Sequence, residues 1–576
     1  MTRPALAAAL AAALAFAPIA RAGADAISFR SDGKAEEVAD ALLEAMTDEE
    51  VLAQTFMLGW VGADPSPLII EWIEKRRIGG VKIFGWNTED TVRLAKSVGD
   101  LQGSAVNGAL AVPLLVATDQ EGGWIRHVKG DTSETPGNMA IGASGYPRDA
   151  YLSGYYIGRE IAALGVNMNF APTVDLFTDR RSELIGPRAF GDDPVKVATL
   201  GAAFAKGLER AGIIATAKHF PGHGATELDS HGILPEIDAD EKTLWERELV
   251  PYRMLARERI PAIMSGHLAF PRTPARYDPA SLSRWFLVDV LRDKIGFQGV
   301  IITDDLLMNG AAASAGSLSR AAKRALEAGN DIVMLSKTPE LDDPVWTSLL
   351  DAYRHEKKFR SRVRDAARRV LLMKLDRLRS PLAPPLVPDP ATVRARVPDP
   401  EGKAFFLDLA ARSATVIRNS SGVLPLRAAD AGRMLLAGQF DDFLTVGRAA
   451  FPSAETYKLS YAPGAETSAA EKAELVRRAK TADSVILCLA NSSSLAALQA
   501  LRPLGKRIIV LSVLSPALLD EVPWAASSVA VYSYSRESFI AGISAISGVL
   551  KAEGILPFPL DAPRPVAPSR AAAPRG

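Results

Sequence analysis

Short apolar runs alternate with amphipathic segments along the first two thirds of the chain. Eight runs have the length and composition of buried strands: 53–58, 80–84, 114–118, 166–171, 213–219, 262–267, 299–304 and 331–335. Segments with helical periodicity, such as 149–164, 194–211 and 318–328, are long enough to be crossover helices. Eight such repeats are typical of a (β/α)8 TIM-type barrel, although doubly wound α/β sheets alternate as well.

Polar residues follow five of these runs at or near their carboxyl ends. They are Asp119, Asn169, Asp175, Lys218, His219, His267, Asp304 and Asp305. A barrel gathers these ends onto one face, where the active sites of this fold are built. Loop solvation would explain any single case. Five cases together favour a barrel with a polar site on that face.

A second, shorter alternation begins near residue 402. Apolar runs at 414–417, 434–437, 484–490, 507–513 and 528–532 are separated in part by helical patterns at 469–482 and 536–550. This pattern predicts a smaller α/β/α sandwich domain after the barrel. The predicted boundaries are 35–376 for the barrel, 377–400 for an extended linker rich in Pro and Arg, 401–561 for the sandwich and 562–576 for a disordered tail.

The amino terminus has the pattern of an export signal. Arg3 precedes an uncharged, mostly apolar run, and Ala20-Arg21-Ala22 offers small residues for cleavage, which indicates a signal peptide over 1–22. The run is shorter than the roughly 20 residues of a spanning helix, so cleavage is favoured over an uncleaved anchor. We therefore expect an exported protein, periplasmic or secreted, with no membrane segment after cleavage.

Charge and cysteine content limit the binding partners and the disulfide bonds that the protein could have. The 67 basic and 67 acidic residues balance, so no overall electrostatic footprint for nucleic acid or anionic membrane exists. Binding through a local patch stays open. Cys488 is the only cysteine of the sequence, which excludes an intrachain disulfide and favours a buried, inert thiol.

Half of the six histidines lie in one fourteen-residue window, 218–231. It reads Lys-His-Phe-Pro-Gly-His-Gly-Ala-Thr-Glu-Leu-Asp-Ser-His and leaves the fifth apolar run for a loop broken by Pro and Gly. His219 and His223 have the spacing of a helical zinc site, which Asp229 or His231 could complete. Pro221 argues against that helix, so we predict no metal site and no cofactor.

Several motifs occur in the order found in one enzyme family. They are Gly79-Gly80-Val81 to Asn87, Asp119-Gln120-Glu121-Gly122-Gly123, Phe170-Ala171-Pro172, Arg188-Ala189-Phe190-Gly191, Lys218-His219-Phe220-Pro221-Gly222-His223-Gly224, Asp229-Ser230-His231, Ser265-Gly266-His267 and Thr303-Asp304-Asp305-Leu306. The chain thereby resembles glycoside hydrolase family 3, and within it the exo-acting β-N-acetylglucosaminidases that have a C-terminal α/β/α sandwich. The resemblance covers nearly the whole chain after the signal.

This resemblance implies a retaining enzyme that removes terminal non-reducing β-linked GlcNAc from an oligosaccharide. Retention needs a carboxylate that attacks the anomeric carbon and a group that protonates the leaving oxygen. Asp304 is the predicted nucleophile, and strand alternation turns Asp305 away from it. His231 is the predicted acid/base because an imidazole can exchange a proton near neutrality, and Asp229 would orient it in an irregular loop. This dyad supports the substrate prediction.

For sugar binding, the resemblance implies Asp119, Arg188, Lys218 and His219 as partners of the sugar hydroxyls. Charged groups suit this role because their hydrogen bonds are stronger than neutral ones. Export and the family favour fragments of peptidoglycan or chitin as the source of the glycan. One departure stands out: Trp124-Ile125-Arg126-His127 replaces a common Arg-Val-x-Arg, so Arg126 and His127 receive no predicted role.

Three alternatives stay open. Within the family, the chain could be a β-glucosidase or β-xylosidase. It could also be a glycoside phosphorylase, since a neutral imidazole repels phosphate less than a carboxylate would. From a different class, a catalytically silent glycan-binding protein would keep the pocket without turnover. The oligomeric state is undetermined by the sequence.

Overall fold

The computed structural model describes residues 27–228, 233–308, 310, 314–420, 422–461 and 467–560. The expected signal peptide, 1–22, and the expected tail, 562–576, lie outside this range. The same holds for Asp229 and His231 of the histidine window. Within the described ranges, no helix is long and apolar enough to cross a membrane.

Eight parallel strands close into a barrel, which confirms the predicted fold of the first domain. They are β1 Phe56–Gly59, β2 Gly80–Lys82, β3 Leu115–Thr118, β4 Met168–Asn169, β5 Ile214–Phe220, β6 Ala262–Ser265, β7 Val300–Asp305 and β8 Ile332–Leu335. Each strand pairs with its neighbours in the sequence, and β8 pairs with β1 to close the ring. All eight predicted runs therefore overlap a barrel strand.

Helices surround the barrel between the strands. They are α1 Ala35–Ala45, α2 Asp48–Ala53, α3 Pro67–Glu71, α4 Thr91–Val106, α5 Asn138–Ser144, α6 Pro147–Ala163, α7 Pro194–Arg210, α8 Glu241–Thr243, α9 Val250–Arg257, α10 Leu318–Ala328, α11 Pro344–His355 and α12 Lys357–Leu378, with π-helical turns at Trp72–Arg76, Leu244–Glu248 and Trp285–Lys294. Local sequence explains where these helices begin. For example, Asp193 accepts the backbone N–H groups of Val195 and Lys196 at the start of α7.

Helix α12 packs against the barrel interior. Its residues Val370 and Met373 join the buried cluster of the barrel core, together with Met57 and Phe170. Beside them Lys374 is fully buried and donates to Oε1 of Gln54 at 2.8 Å. Burial lowers the pKa of Lys374 to about 7. Gln54 precedes β1, so α12 covers the amino-terminal ends of the strands. The polar residues that follow the strands lie at the opposite, carboxyl-terminal face.

The segment predicted as an extended linker contains a helix, α13 Pro390–Arg396, which corrects that part of the prediction. Asp389 accepts the backbone N–H groups of Ala391 and Thr392, and proline at the first helical position favours this start. Val393 is fully buried and anchors α13, which contacts α4 and α6. A composition rich in proline thus concealed a capped, anchored helix of about two turns.

The second domain is a six-stranded sheet with helices on both faces, as predicted. Its strands are β9 Thr415–Asn419, β10 Met434–Gly438, β11 Glu455–Lys458, β12 Ser484–Leu489, β13 Arg507–Ser512 and β14 Ser527–Ala530, and its helices are α14 Pro400–Ser413, α15 Asp441–Ala450, α16 Ala469–Thr481, α17 Ser492–Gln499 and α18 Arg536–Ser547. The strand order is β9-β14-β13-β12-β10-β11, and β9 is the antiparallel edge. Edge strand β11 escaped prediction because its sequence, Glu-Thr-Tyr-Lys, contains no apolar run.

The two domains share a buried apolar cluster. Tyr532 and Phe558 of the second domain pack against Met139, Phe177 and Ile185 of the barrel loops. The rings of Phe177 and Phe558 meet edge to face with centroids 4.9 Å apart. The loop that carries Arg188 thus rests on the second domain.

Replacing Phe558 by alanine should destabilise the protein and loosen this loop. Phe558 is buried, and phenylalanine-to-alanine changes in a core cost about 3–5 kcal/mol. Urea unfolding would measure the change in free energy. Val549→Ala, at a position 84% exposed, is the matched control and should change the free energy of unfolding little. Equal urea concentrations at the unfolding midpoint for the two variants would contradict a stabilising role for this cluster.

Candidate active site

The motif at residues 119–123 leaves β3 on the open face of the barrel. Asp119 and Glu121 are two residues apart, so their side chains point to the same side of an extended segment. Gln120 between them is held by the Asn169 side chain, whose amide pairs with its backbone N–H and C=O at 2.9 Å each. Gly122 then turns the chain with a φ of +93°, a conformation that favours glycine.

Lys218 lies between the two carboxylates. Its ammonium contacts Asp119 and lies 2.6 Å from Oε1 of Glu121. Arg188 binds Glu121 through two parallel hydrogen bonds, 2.9 Å from Nε to Oε2 and 2.7 Å from Nη2 to Oε1. Lys82 contacts Oδ2 of Asp119 at 2.7 Å. The structure therefore brings Asp119, Arg188 and Lys218, three of the four predicted sugar-binding residues, into one buried ion network.

Mutual attraction keeps these buried groups charged. Burial by itself would raise the pKa of Glu121, but Arg188 and Lys218 outweigh it and lower the pKa to about 2. The same balance, with Lys218 and Lys82 as the cations, holds the pKa of Asp119 well below its usual range. Burial opposes the charge of Lys218, yet the two carboxylates raise its pKa. Asp119, Glu121 and Lys218 are therefore ionised near neutral pH, whereas burial lowers the pKa of Lys82 against the opposing charge of Asp119.

His219, the fourth predicted binding residue, is held between Asp175 and Arg188. Its Nδ1 lies 2.7 Å from Oδ2 of Asp175, and its Nε2 lies 3.3 Å from Nη2 of Arg188. Since Arg188 can only donate, Nε2 accepts and Nδ1–H donates to the carboxylate. Burial would raise the pKa of Asp175, but His219 outweighs it, and the pKa falls to about 2. Both ring nitrogens of His219 are thus engaged.

Asp304 is the second-last residue of β7 and lies on the same face. Burial would raise its pKa, but His219, His267, the backbone N–H of Asp305 and Lys218 lower it overall. Its carboxylate is therefore ionised near neutrality, as a nucleophile requires. Asp305 differs, since its Oδ1 accepts the backbone N–H groups of Leu307 and Ser336 at 3.1 Å each. The two neighbours thus have different surroundings.

Gly224 closes the first half of the histidine window. A Cβ at this position would lie 1.6 Å from the carbonyl oxygen of Leu176, so a side chain cannot be accommodated without moving the backbone. The Gly224 carbonyl accepts the backbone N–H of Asp179 at 3.0 Å. Asp229 and His231 lie beyond it, outside the described residues, and the proton-transfer dyad stays a prediction.

The zinc alternative needs a ligand from Asp229 or His231, and both lie outside the described residues. His219 already engages both ring nitrogens, with Asp175 and Arg188. Among the residues that the structure describes, no group of three or more His, Cys, Asp or Glu side chains is arranged to hold a metal ion.

Sequence reasoning missed four members of the pocket: Lys82, Glu121, His127 and Asp175. Lys82 ends β2, so the rule that polar residues collect at the carboxyl ends of strands would have identified it. Glu121 was visible within its motif, and its spacing from Asp119 places both on one side. Asp175 was noted at a strand end without a role. His127 offered no such signal, because a short hairpin of Gln120–Gly122 with Ile125–Arg126 returns it to Asp119 from eight residues away.

Fold and site together define a TIM-barrel protein with a charged, preorganised site on its carboxyl-end face. Residues 46–373 match the Glycosyl hydrolase family 3 N terminal domain. The chain therefore belongs to glycoside hydrolase family 3.

Relatives with established names agree with this assignment. The chain is 35% identical to Beta-hexosaminidase A of Pseudoalteromonas piscicida over 42% of its own length and 43% of that protein, so it spans under half of this relative. It is 36% identical to Beta-hexosaminidase of Neisseria meningitidis serogroup A / serotype 4A, covering 50% of this chain and 80% of that one.

Solved structures extend the similarity to the second domain. The glycoside hydrolase family 3 beta-N-acetylglucosaminidase from Paenibacillus sp. str. FPU-7 superposes with a TM-score of 0.80 at 26% identity, over 90% of this chain and 100% of that chain. A fungal multi-domain beta-N-acetylglucosaminidase of the same family gives a TM-score of 0.81 at 28% identity, over 91% of this chain and 62% of that chain.

Mild acid should destabilise the pocket through His223. Burial, and His219 beside it, lower the pKa of His223 from 6.5 to about 4. Between these values the unfolded chain binds a proton at this residue and the folded chain does not, so stability falls as the pH decreases through this window. The shift corresponds to roughly 3 kcal/mol at most.

Urea unfolding near pH 7 and near pH 4.5 would measure this effect. His223→Gln cannot gain the proton and should show a smaller difference between the two conditions than the wild type. His355→Gln, at an exposed position on α11, should keep the wild-type difference. A His223→Gln difference as large as that of the wild type would contradict the assignment.

Proposed function

We propose that the protein is a retaining exo-β-N-acetylglucosaminidase. The observation that carries this proposal is the placement of an ionised Asp304 on the same barrel face as the network of Lys218, Asp119 and Arg188. A nucleophilic carboxylate beside fixed hydrogen-bonding groups suits attack on a sugar held in one orientation. The relatives named Beta-hexosaminidase support GlcNAc as the sugar.

The proposed reaction has two displacements. Asp304 attacks the anomeric carbon and forms a glycosyl ester, while the bond to the aglycone oxygen breaks and that oxygen takes a proton from His231. Water then attacks the same carbon, gives its proton to His231 and releases the Asp304 carboxylate. Asp229 orients the imidazole and stabilises its protonated form before the first displacement. Two inversions at one carbon give net retention.

The ion network would hold the sugar ring during both steps. Asp119 and Glu121 are each bound by two cations, so their positions are fixed before substrate arrives. Such preorganisation avoids reordering charged side chains in the transition state. A sugar lacking a matching hydroxyl would leave a buried charged group without its partner, which is how such a pocket discriminates.

The expected activity can be tested with aryl β-GlcNAc substrates. The wild type should hydrolyse aryl β-GlcNAc faster than aryl β-glucoside, and the first sugar released should have the β configuration by NMR. Asp304→Asn should lower kcat by at least about 10³-fold, because it removes the nucleophile. His231→Ala should lower kcat/KM by about 10²- to 10⁴-fold for poor leaving groups and less for activated phenols.

The exposed His355→Ala variant is the control and should retain wild-type rates. Equal rates for wild type and Asp304→Asn would reject the mechanism. A preference for aryl glucoside would reject the GlcNAc assignment. Strong stimulation by phosphate with a sugar phosphate product would instead identify a phosphorylase. Saccharide binding without turnover in any condition would identify a glycan-binding protein.

The natural substrate proposed here is a GlcNAc-terminated fragment of peptidoglycan or chitin, met outside the cytoplasm. The signal pattern over 1–22 supports this location. When the full sequence is expressed in a Gram-negative host, the protein should be recovered from the periplasm or medium with a new amino terminus near Gly23. A chain without residues 1–22 should stay in the cytoplasm. An uncleaved, cytoplasmic full chain would reject the export proposal.

A further inference from the structure

His127 is anchored beside Asp119 through its backbone. Its N–H donates to the Asp119 carbonyl at 2.9 Å, and its carbonyl accepts from Oγ1 of Thr88 at 2.8 Å. Its ring lies next to Phe84, with centroids 5.8 Å apart. The imidazole is 31% exposed, whereas the side chains of Lys82 and Lys218 are 1% and 3% exposed. It is therefore the most accessible of these groups around Asp119.

Lys82 determines which nitrogen of this ring carries the proton. Its ammonium has three donors, and three acceptors surround it: the Ile83 carbonyl at 2.8 Å, Oδ2 of Asp119 at 2.7 Å and Nδ1 of His127 at 3.1 Å. The 3.5 Å between Nδ1 and Oδ2 of Asp119 is too long for a competing hydrogen bond. Nδ1 of His127 therefore accepts, and in the neutral ring the proton sits on Nε2.

Two other histidines of the pocket, His219 and His267, have no such spare donor. His219 uses both nitrogens, with Asp175 and Arg188. His267 also uses both, with Oγ of Ser281 at 2.7 Å and the Asp305 carbonyl at 3.0 Å. Within the described residues, Nε2 of His127 has no hydrogen-bond partner. A donor on an accessible ring beside the sugar-binding carboxylate is thus available to a ligand.

We propose that His127 is a specificity-determining binding residue: its Nε2–H donates to one hydroxyl of the sugar held by Asp119, and Lys82 is the positioning residue that fixes this tautomer. The identity of the sugar rests on the proposed function, but the donor and its tautomer do not. Asp119 accepts from a sugar hydroxyl while His127 donates to one, so the pair matches the dual character of hydroxyl groups.

The electrostatic surroundings support a neutral ring. Burial and the charge of Lys82 lower the pKa of His127 to about 4, despite the opposing effect of Asp119. Lys218 and Glu121 act on the pKa of His127 in opposite directions, Lys218 lowering it and Glu121 raising it. The imidazole therefore keeps its single donor throughout the neutral range.

A cycle of substrate and enzyme variants tests the contact directly. Wild type and His127→Phe would be compared on aryl β-GlcNAc and its 3-deoxy, 4-deoxy and 6-deoxy analogues. For one analogue the wild type should lose about 3- to 10-fold in kcat/KM, the effect of one neutral hydrogen bond, and His127→Phe should show no such loss for that analogue. Equal parent-to-analogue ratios in both enzymes, for all three analogues, would overturn the proposal.

His127→Gln guards against a variant that is merely misfolded. Its amide oxygen can accept from Lys82 and its amide nitrogen can donate to the sugar, so discrimination against the same analogue should return. Arg126→Gln would be a neighbouring control, because Arg126 already binds the Thr132 carbonyl and Glu134. It should keep the wild-type ratios. If the wild type preferred glucosides, the same cycle would be run on deoxy glucosides, which separates failure of the substrate assignment from failure of this contact.

The tautomer can be read without any substrate. In ¹⁵N-labelled protein, His127 should show a pyridine-type Nδ1 and a protonated Nε2 near neutral pH, identified by loss of its signals in His127→Phe. Lys82→Met should move the proton to Nδ1, facing Asp119, and should remove the discrimination seen in the cycle. Lys82→Arg, which keeps a donor, should preserve the wild-type tautomer. A protonated Nδ1 in the wild type would overturn the proposal even if the enzyme is active on GlcNAc.

Discussion

Lys218 lies buried between Asp119 and Glu121, and the arrangement of the site depends on this contact. Each carboxylate also binds a second cation, Lys82 or Arg188. Removing one partner of a buried ion pair typically costs about 3–5 kcal/mol, because the other charge is left without compensation. The network therefore constrains every segment that contributes to it. Those segments come from four neighbouring parts of the barrel.

The rest of the fold brings these charges together and holds them. Side-chain amides of Asn167 and Asn169 replace backbone partners where β4 is only two residues long, and Asn169 thereby fixes the segment between the two carboxylates. The second domain supports the loop that carries Arg188 through the contact of Phe177 with Phe558. Helix α12 adds residues to the barrel core away from the site. Stability and preorganisation of the pocket are thus coupled.

The histidines of the pocket illustrate how position determines chemistry. His219 and His127 flank the same network, yet their partners impose opposite tautomers: a carboxylate on Nδ1 of His219 and an ammonium on Nδ1 of His127. His219 becomes a rigid link between Asp175 and Arg188. His127 keeps one donor for a ligand. Neither role could be read from the residue type, because a histidine is a donor or an acceptor according to its neighbours.

The sequence alone determined the eight barrel strands, the sandwich and the positions of Asp119, Lys218, His219 and Asp304 at strand ends, because short buried strands leave a periodic apolar pattern and a barrel places its polar residues at their carboxyl ends. It could not reveal helix α13 or strand β11, whose local signals conflict with or lack apolar periodicity. Only the tertiary structure joined Lys82 and His127 to Asp119. Lys82 comes from a different strand and His127 from the far side of a hairpin, so the geometry of both contacts depends on how strands and loops pack in three dimensions.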